Sequence, residues 1–172
     1  MAEPARIEPW SSDDHDLLLA LLGDPAMMVH LGGPETAAAI AERQTGYEAS
    51  GSRQYRVVDV ASGTPAGWVG YWHSTREDEP IFEIGWAILP GLQGRGLARS
   101  GTKQLIAQVH AEPQPLPLFA FPAVTNAASN ALCRSLGFAL LGPEDFEYPP
   151  GHTLHCNVWR LGASSATHAR RQ

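Results

Sequence analysis

Apolar and polar positions follow two rhythms along this chain. Leu97, Gly101, Leu105 and Val109 recur every four residues, which places them on one face of a helix. Leu17, Leu18, Leu21 and Leu22 give a similar face after Ser11-Ser12-Asp13-Asp14, a run whose hydroxyls and carboxylates suit a helix start. Gly23-Asp24-Pro25 ends that helix, Ala26 to Pro34 reads as a short helix and a bend, and a second helix is expected from about Glu35 to Tyr47, closed off by Gly51. Strand rhythm takes over in the middle. Gln54 to Val60 and Ala66 to His73 flank the turn Ser62-Gly63-Thr64-Pro65 and predict a hairpin. A charged loop is expected at Thr75 to Pro80, then a strand from Ile81 to Leu89 stopped by Pro90. Pro113, Pro115 and Pro117 lead into a strand at Leu116 to Phe121, whose early part the prolines leave poorly paired. A short helix from Asn126 to Leu136 is stopped by Gly137, and a strand spans Phe138 to Leu141. Gly142 to Gly151, with three prolines, reads as a loop, and Thr153 to Leu161 as the last strand. Arg6 to Trp10 is expected as a short first strand.

The chain's 172 residues suit one domain with a substantial core, expected over residues 1–162. Ala163 to Gln172 is small, polar and basic and is expected to be a disordered tail. A net charge of -6 argues against a broad nucleic-acid footprint. The two cysteines, Cys133 and Cys156, form no close metal-ligand pair and no disulfide framework, so a reducing cytoplasm is the expected compartment. No run is long and apolar enough to span a membrane, and Met1-Ala2-Glu3-Pro4 lacks the form of a secretion signal.

The candidate chemistry lies where the Ile81–Leu89 strand meets the helix that opens at Leu97. Between them stands Gln93-Gly94-Arg95-Gly96-Leu97-Ala98. A glycine turn opening a helix leaves main-chain N–H groups without partners at the positive end of the helix dipole, and an anion such as a phosphate fits there. A Walker loop would end in Gly-Lys-Ser/Thr, and a dinucleotide fingerprint would need a third glycine where Arg99 stands and a later carboxylate; neither is present. The pattern Gln-x-x-Gly-x-Ala instead resembles the coenzyme A pyrophosphate loop of the GCN5-related N-acetyltransferases, the GNAT family. Asn126-Ala127-Ala128-Ser129 followed by Ser135-Leu136-Gly137-Phe138 looks like that family's second cofactor-side segment.

The resemblance implies an α/β fold, a mixed and mostly antiparallel central sheet flanked by helices, with two central strands splayed apart to hold the coenzyme's arm. It implies direct transfer of an acetyl group from acetyl-CoA to a primary amine, with no metal. Gln93, Gly94, Arg95, Gly96, Leu97, Ala98 and Arg99 would wrap the pyrophosphate. Main-chain groups of Trp86, Ala87 and Ile88 would pair with the pantetheine arm. Asn126 would contact the arm, cap its helix, or do both, and Ser129 would approach the thiol or pack in the helix.

Glu83 is the general-base candidate: a carboxylate in an otherwise apolar strand, on the face of Gly85 and Ala87 and opposite Ile84 and Trp86. Its alternative is a solvent-facing glutamate. Where the family commonly places an acidic tyrosine, five residues before the Phe of the closing Gly-Phe, this chain has Cys133, a proton donor or a small core residue. Met28, His30, Trp72 and Tyr148 are candidates for the acceptor pocket, with His152 and His155 nearby. The spacing of the N-terminal helices resembles the ribosomal-protein N-terminal acetyltransferase branch. The acceptor is a small-molecule amine or a protein N-terminus, and a homodimer is compatible with this class. A non-catalytic acyl-CoA-binding module is the alternative reading.

Overall fold

The computed structural model describes residues 3–147 and 150–162. Seven strands, β1 (Ala5–Pro9), β2 (Gln54–Asp59), β3 (Pro65–Arg76), β4 (Glu79–Ile88), β5 (Leu118–Ala120), β6 (Ala139–Glu147) and β7 (Thr153–Leu161), form one sheet in the order β1-β2-β3-β4-β5-β7-β6. Every neighbouring pair is antiparallel except β4 with β5. The expected mixed, mostly antiparallel sheet is therefore what forms.

Helices cover both faces. The helix α3 (Leu97–His110) lies on one of them. Its predicted stripe of Leu97, Gly101, Leu105 and Val109 is buried, against Val57, Val69, Phe82, Ile84 and Ile88 of the strands. Gly101 lets the helix come close, since a Cβ there would sit 3.1 Å from a Val57 methyl. The helix α4 (Ala127–Ser135) adds Cys133 to the same core. On the opposite face, α1 (His15–Leu22) and α2 (Ala37–Glu48) gather Trp10, Leu18 and Ile40 against Tyr47 and Trp68. Rings continue outward from there: Tyr47 stacks on Trp68 and Trp68 on Trp72. Ser11 opens the first helical segment as expected, with the Asp14 carboxylate accepting its N–H at 2.8 Å.

Three expectations need correction. The charged stretch Thr75 to Pro80 is not a loop: β3 runs on to Arg76 and β4 starts at Glu79, leaving a two-residue turn, Glu77-Asp78, with φ of 51° and 62°. That is the left-handed pair a tight hairpin needs, here made by acidic residues without the usual glycine. Residues 142–147, read as loop because of their prolines, belong to β6. This strand is the sheet's edge, where Pro143 sacrifices no ladder bond on its open side, and a register shift between Leu140 and Gly142 absorbs the irregularity. The stretch Ala26 to Gly33 forms linked turns and no helix. Asp24 caps the Ala26 N–H at 2.8 Å, and the Met28 carbonyl takes both the Leu31 and Gly33 N–H groups. Tyr148 and the expected tail at 163–172 lie outside the described residues. Among the described residues, no helix is long and apolar enough to cross a membrane.

The start of α4 is fastened to the sheet by one buried amide. Asn130 donates to the Ala123 and Asn126 carbonyls and accepts from Trp159 Nε1 and Asn157 Nδ2, both at 2.8 Å. Asn130→Ala strands those groups in a dry site and is expected to cost about 2–4 kcal/mol. Urea unfolding measures this, and a loss below about 1 kcal/mol would mean that the network holds little.

Candidate functional site

The site begins where two strands part. β4 and β5 pair only at Phe82↔Leu118 and Glu83↔Phe119. Beyond Glu83, β4 continues to Ile88 while β5 ends at Ala120. From Ile84 onward, the β4 edge that faces β5 has no strand partner among the described residues. The expected splay is present, and Glu83 stands at its apex. Proline explains the short pairing: Pro117 offers only a carbonyl, which takes the Phe82 N–H at 2.9 Å.

At the far end of that edge comes the glycine loop. Pro90-Gly91-Leu92 makes a 3-10 turn, and the Gln93 side chain reaches back to the Ile88 carbonyl at 2.9 Å. Gly94 and Gly96 have φ of 74° and 78°, the left-handed region that glycine alone enters without strain. Around Gly94 there is open space, so conformation and not crowding demands the glycine. Leu97 plugs into the core and starts α3. Among the described residues, no protein acceptor takes the main-chain N–H groups of Gly94 to Arg99; the next one, Ser100, bonds to the Gly96 carbonyl. No acidic side chain stands in the first turn of α3. The loop thus presents unpaired donors at a helix N-terminus, the arrangement that suits a diphosphate.

Arg95 and Arg99, both expected beside that anion, differ in setting. Arg99 is exposed. Arg95 turns toward the end of β2, its Nη1 lying 3.2 Å from Asp59 Oδ2. Across the splay, Trp86 Nε1 donates to Ser129 Oγ at 3.2 Å, tying β4 to the first turn of α4. The Asn126 side-chain oxygen caps that turn through the Ser129 N–H at 3.0 Å, so capping is the contact it makes here. Ala87 and Ile88 lie on the unpartnered stretch of β4 with Trp86.

Glu83 is half-buried, on the face carrying α1 and α2, with Trp72 opposite it on β3 and Phe119 on β5. Burial raises its carboxyl above the ordinary value, and the nearby Ser74 and Trp72 side-chain donors pull it partly back. Ile81, Phe119 and Val158, with Phe121 and Phe146, form an apolar cluster on this side. Above it, Arg76 lies over the Phe119 ring and holds Glu144 of β6 through two nitrogens at 2.5 and 2.7 Å.

The α1–α2 connection touches both rims of the splay. Gln93 Nε2 lies 3.7 Å from Met27 Sδ, and His30 Nδ1 bonds Thr125 Oγ1 at 3.0 Å. Met28 is buried beneath. Cys133 is 0% exposed in the main core, and burial pushes its thiol up to about 12, a poor setting for a proton donor. His155 pairs with Asp145 at 2.6 Å on the exposed side of the β6–β7 hairpin, and His152 is exposed. Among the described residues, no group of His, Cys, Asp and Glu is arranged to hold a metal ion. A separate concavity of about 470 Å³ opens at the C-terminal end of α3. Its charges satisfy one another, Arg53 and the Tyr71 hydroxyl both bonding Glu112 at 2.6 Å. Sequence reasoning missed Ser74, Asp59 and Asn130, which carry no motif; only their fold neighbours give them roles.

The Glu83 environment has a thermodynamic consequence. Its folded-state value lies above the unfolded one, so between the two the native state binds more protons and stability falls as pH rises. At neutral pH the ionised carboxylate carries a standing burial penalty. Glu83→Gln, which keeps an acceptor for Ser74 and Trp72, is expected to melt higher than wild type at pH 7. The advantage should vanish below pH 4.5, the carboxyl's ordinary value. Melting curves at the two pH values test this, and a variant less stable at pH 7 would contradict it.

The model of the acetyltransferase (GNAT) domain matches residues 5–139. Among solved structures, the chain is similar to a GNAT-family acetyltransferase from Bacillus anthracis, at 17% identity and a TM-score of 0.74 over 93% of this chain and 95% of that one. It is also similar to the ribosomal-protein-S5-alanine acetyltransferase of Vibrio fischeri, at 15% identity and a TM-score of 0.74 over 96% of each chain. A third is a ribosomal L7/L12 alpha-N-protein acetyltransferase in complex with coenzyme A, at 18% identity and a TM-score of 0.74 over 93% and 94%. At these identities the likeness is one of fold.

Proposed function

Because the chain belongs to the GNAT acetyltransferase family, we propose that it moves an acetyl group from acetyl-CoA directly onto a primary amine, with both substrates bound together. The observation that carries this reading is the pairing of free loop amides with a raised-pKa carboxylate at the two ends of one unpartnered strand edge. The amides from Gly94 to Arg99 hold the diphosphate. The open edge at Trp86, Ala87 and Ile88 receives the pantetheine amides and offers a main-chain N–H to the carbonyl oxygen as charge gathers there. Acetyl-CoA supplies the activated acyl group.

Glu83 accepts the acceptor's proton, directly or through one water, so that the nitrogen attacks with a free lone pair. Its half-buried position beside Trp72 and Phe119 raises its basicity for that task. Ser129, whose oxygen accepts from Trp86, keeps its own hydroxyl proton available to the departing thiolate. Cys133 serves as packing, since its buried thiol holds its proton too tightly to act as an acid. Alignment of the two reactants supplies much of the remaining acceleration.

The acceptor enters from the face of α1 and α2, past Met28, His30 and Trp72. It is a protein N-terminus or a small amine. Two of the similar structures are ribosomal-protein acetyltransferases, so N-terminal peptides belong in the panel. The residues assigned here form one acetyltransferase domain over 1–162, acting in the cytoplasm.

Thiol release with a mixed panel of amines and N-terminal peptides tests the activity. Glu83→Gln is expected to lower turnover about 100-fold or more with little change in the acetyl-CoA KM. Wild-type activity should rise with pH through the elevated Glu83 value and then level off. Undiminished turnover in the variant would remove Glu83 as base. Coenzyme A binding without turnover of any amine would favour a non-catalytic acyl-CoA-binding module, a reading that the poor acid at Cys133 also fits. Gly94→Val, which forces a branched residue to φ near 74°, is expected to abolish coenzyme A binding while circular dichroism stays native. Unchanged affinity by calorimetry would contradict the loop's role.

A further inference from the structure

Asp59 is a buried carboxylate with no place in the chemistry above. It ends β2, and its side chain is only 3% exposed. One oxygen accepts the Ala61 N–H at 3.0 Å. Among the described residues the other has no hydrogen-bond partner; the Arg95 guanidinium lies 3.2 Å from it but out of hydrogen-bond alignment. Arg95 is the residue between the two left-handed glycines of the loop, and it is about half-exposed.

Asp59 itself cannot drift. Its N–H bonds the Thr64 carbonyl, its carbonyl takes the Gly63 N–H, and it pairs with Ala5 of β1. The same corner meets the start of α3. The Ala5 carbonyl accepts from Ser100 Oγ and Gln104 Nε2, and Pro4 lies beside Gly96. A flexible glycine loop is thus gripped at Leu97 by the core and at Arg95 by a fixed negative charge.

The alternative use of Arg95, as a direct ligand of the anion, carries a cost. If the guanidinium left, Asp59 would remain a buried carboxylate without a countercharge, next to a loop that binds an anion. Its charge makes sense only while Arg95 covers it, and the loop amides already offer donors to the anion.

We propose that Asp59 is a positioning residue: through its ion pair with Arg95 it holds the Gly94–Gly96 turn in the shape whose amides bind the coenzyme A diphosphate, and Arg95 serves the loop's shape and not the phosphate. This rests on the reading of the loop as a diphosphate site. It gives the Arg95 side chain a different role from the one expected from its position in the motif.

Calorimetry with coenzyme A and with 3′-phospho-ADP, which carries the diphosphate but no thiol arm, tests it in wild type, Asp59→Asn, Arg95→Gln and the double variant. Each single change is expected to weaken both ligands about tenfold, with the double variant no weaker than the worse single. A wild type that binds neither ligand would fail the loop reading itself. Where wild type binds, an Asp59→Asn variant that binds as tightly or more tightly would overturn the positioning role. Losses that multiply in the double variant would also overturn it, since Arg95 would then touch the phosphate independently. If Asp59→Asn does not fold, NMR order parameters of Gly94–Leu97 in ligand-free Arg95→Gln decide. They are expected to fall below wild type, and unchanged values would overturn the proposal.

Discussion

The structure depends on the failure of one parallel strand pair. β4 and β5 meet for two residues and then separate. A sheet pays for such a break in unpaired main-chain groups, and these persist only where another partner can take them. Here the break leaves one strand edge open beside α4, and an indole-to-hydroxyl bond from Trp86 to Ser129 crosses it. The two flanking units hold the gap at a fixed width. β3 and β4 are paired over their whole length on one side, and β5 is held by β7 on the other.

Both ends of the open edge differ from their surroundings in charge and exposure. One end is the loop, positive by its helix start and its uncommitted amides. The other is Glu83, a carboxylate among aromatic and aliphatic side chains. The loop offers donors that belong to the backbone and are aimed by glycine conformations, a setting that suits an anion without a dedicated side chain. The carboxylate is made basic by lost hydration, with Ser74 and Trp72 limiting the shift. Both groups are kept in conditions that cost stability in the empty protein, which is common where binding or proton transfer takes place.

The faces of the sheet divide the labour. The α3 face carries the larger core, and Gly101 lets the helix seat tightly against Val57. The opposite face is built from stacked rings and turns. Its long hairpin is fastened to the edge strand by Arg76 and Glu144, and the α1–α2 connection bonds to both rims of the gap through Met27 and His30. That face is assembled from two smaller buried clusters, around Leu18 and Ile40 and around Phe119 and Val158, and not from one continuous core.

Much of this was legible in the sequence wherever one local rule decided the outcome. The four-residue spacing from Leu97 to Val109, the glycine pair of the loop, the prolines ahead of β5 and the lone Glu83 in an apolar strand each act through nearest neighbours along the chain. The helix face, the glycine turn, the weak strand pairing and the face of the carboxylate follow from them. Local rules failed where a distant partner outweighed them. The edge position of β6 tolerates Pro143 inside a strand, and the tight turn at Glu77-Asp78 closes without glycine because ten rungs of β3–β4 pairing hold its ends together. The pairings of Asp59 with Arg95 and of Asn130 with Trp159 join residues far apart in sequence. Their charges and amides are visible in the sequence, but burial and distance set their partners, and only the folded chain defines those.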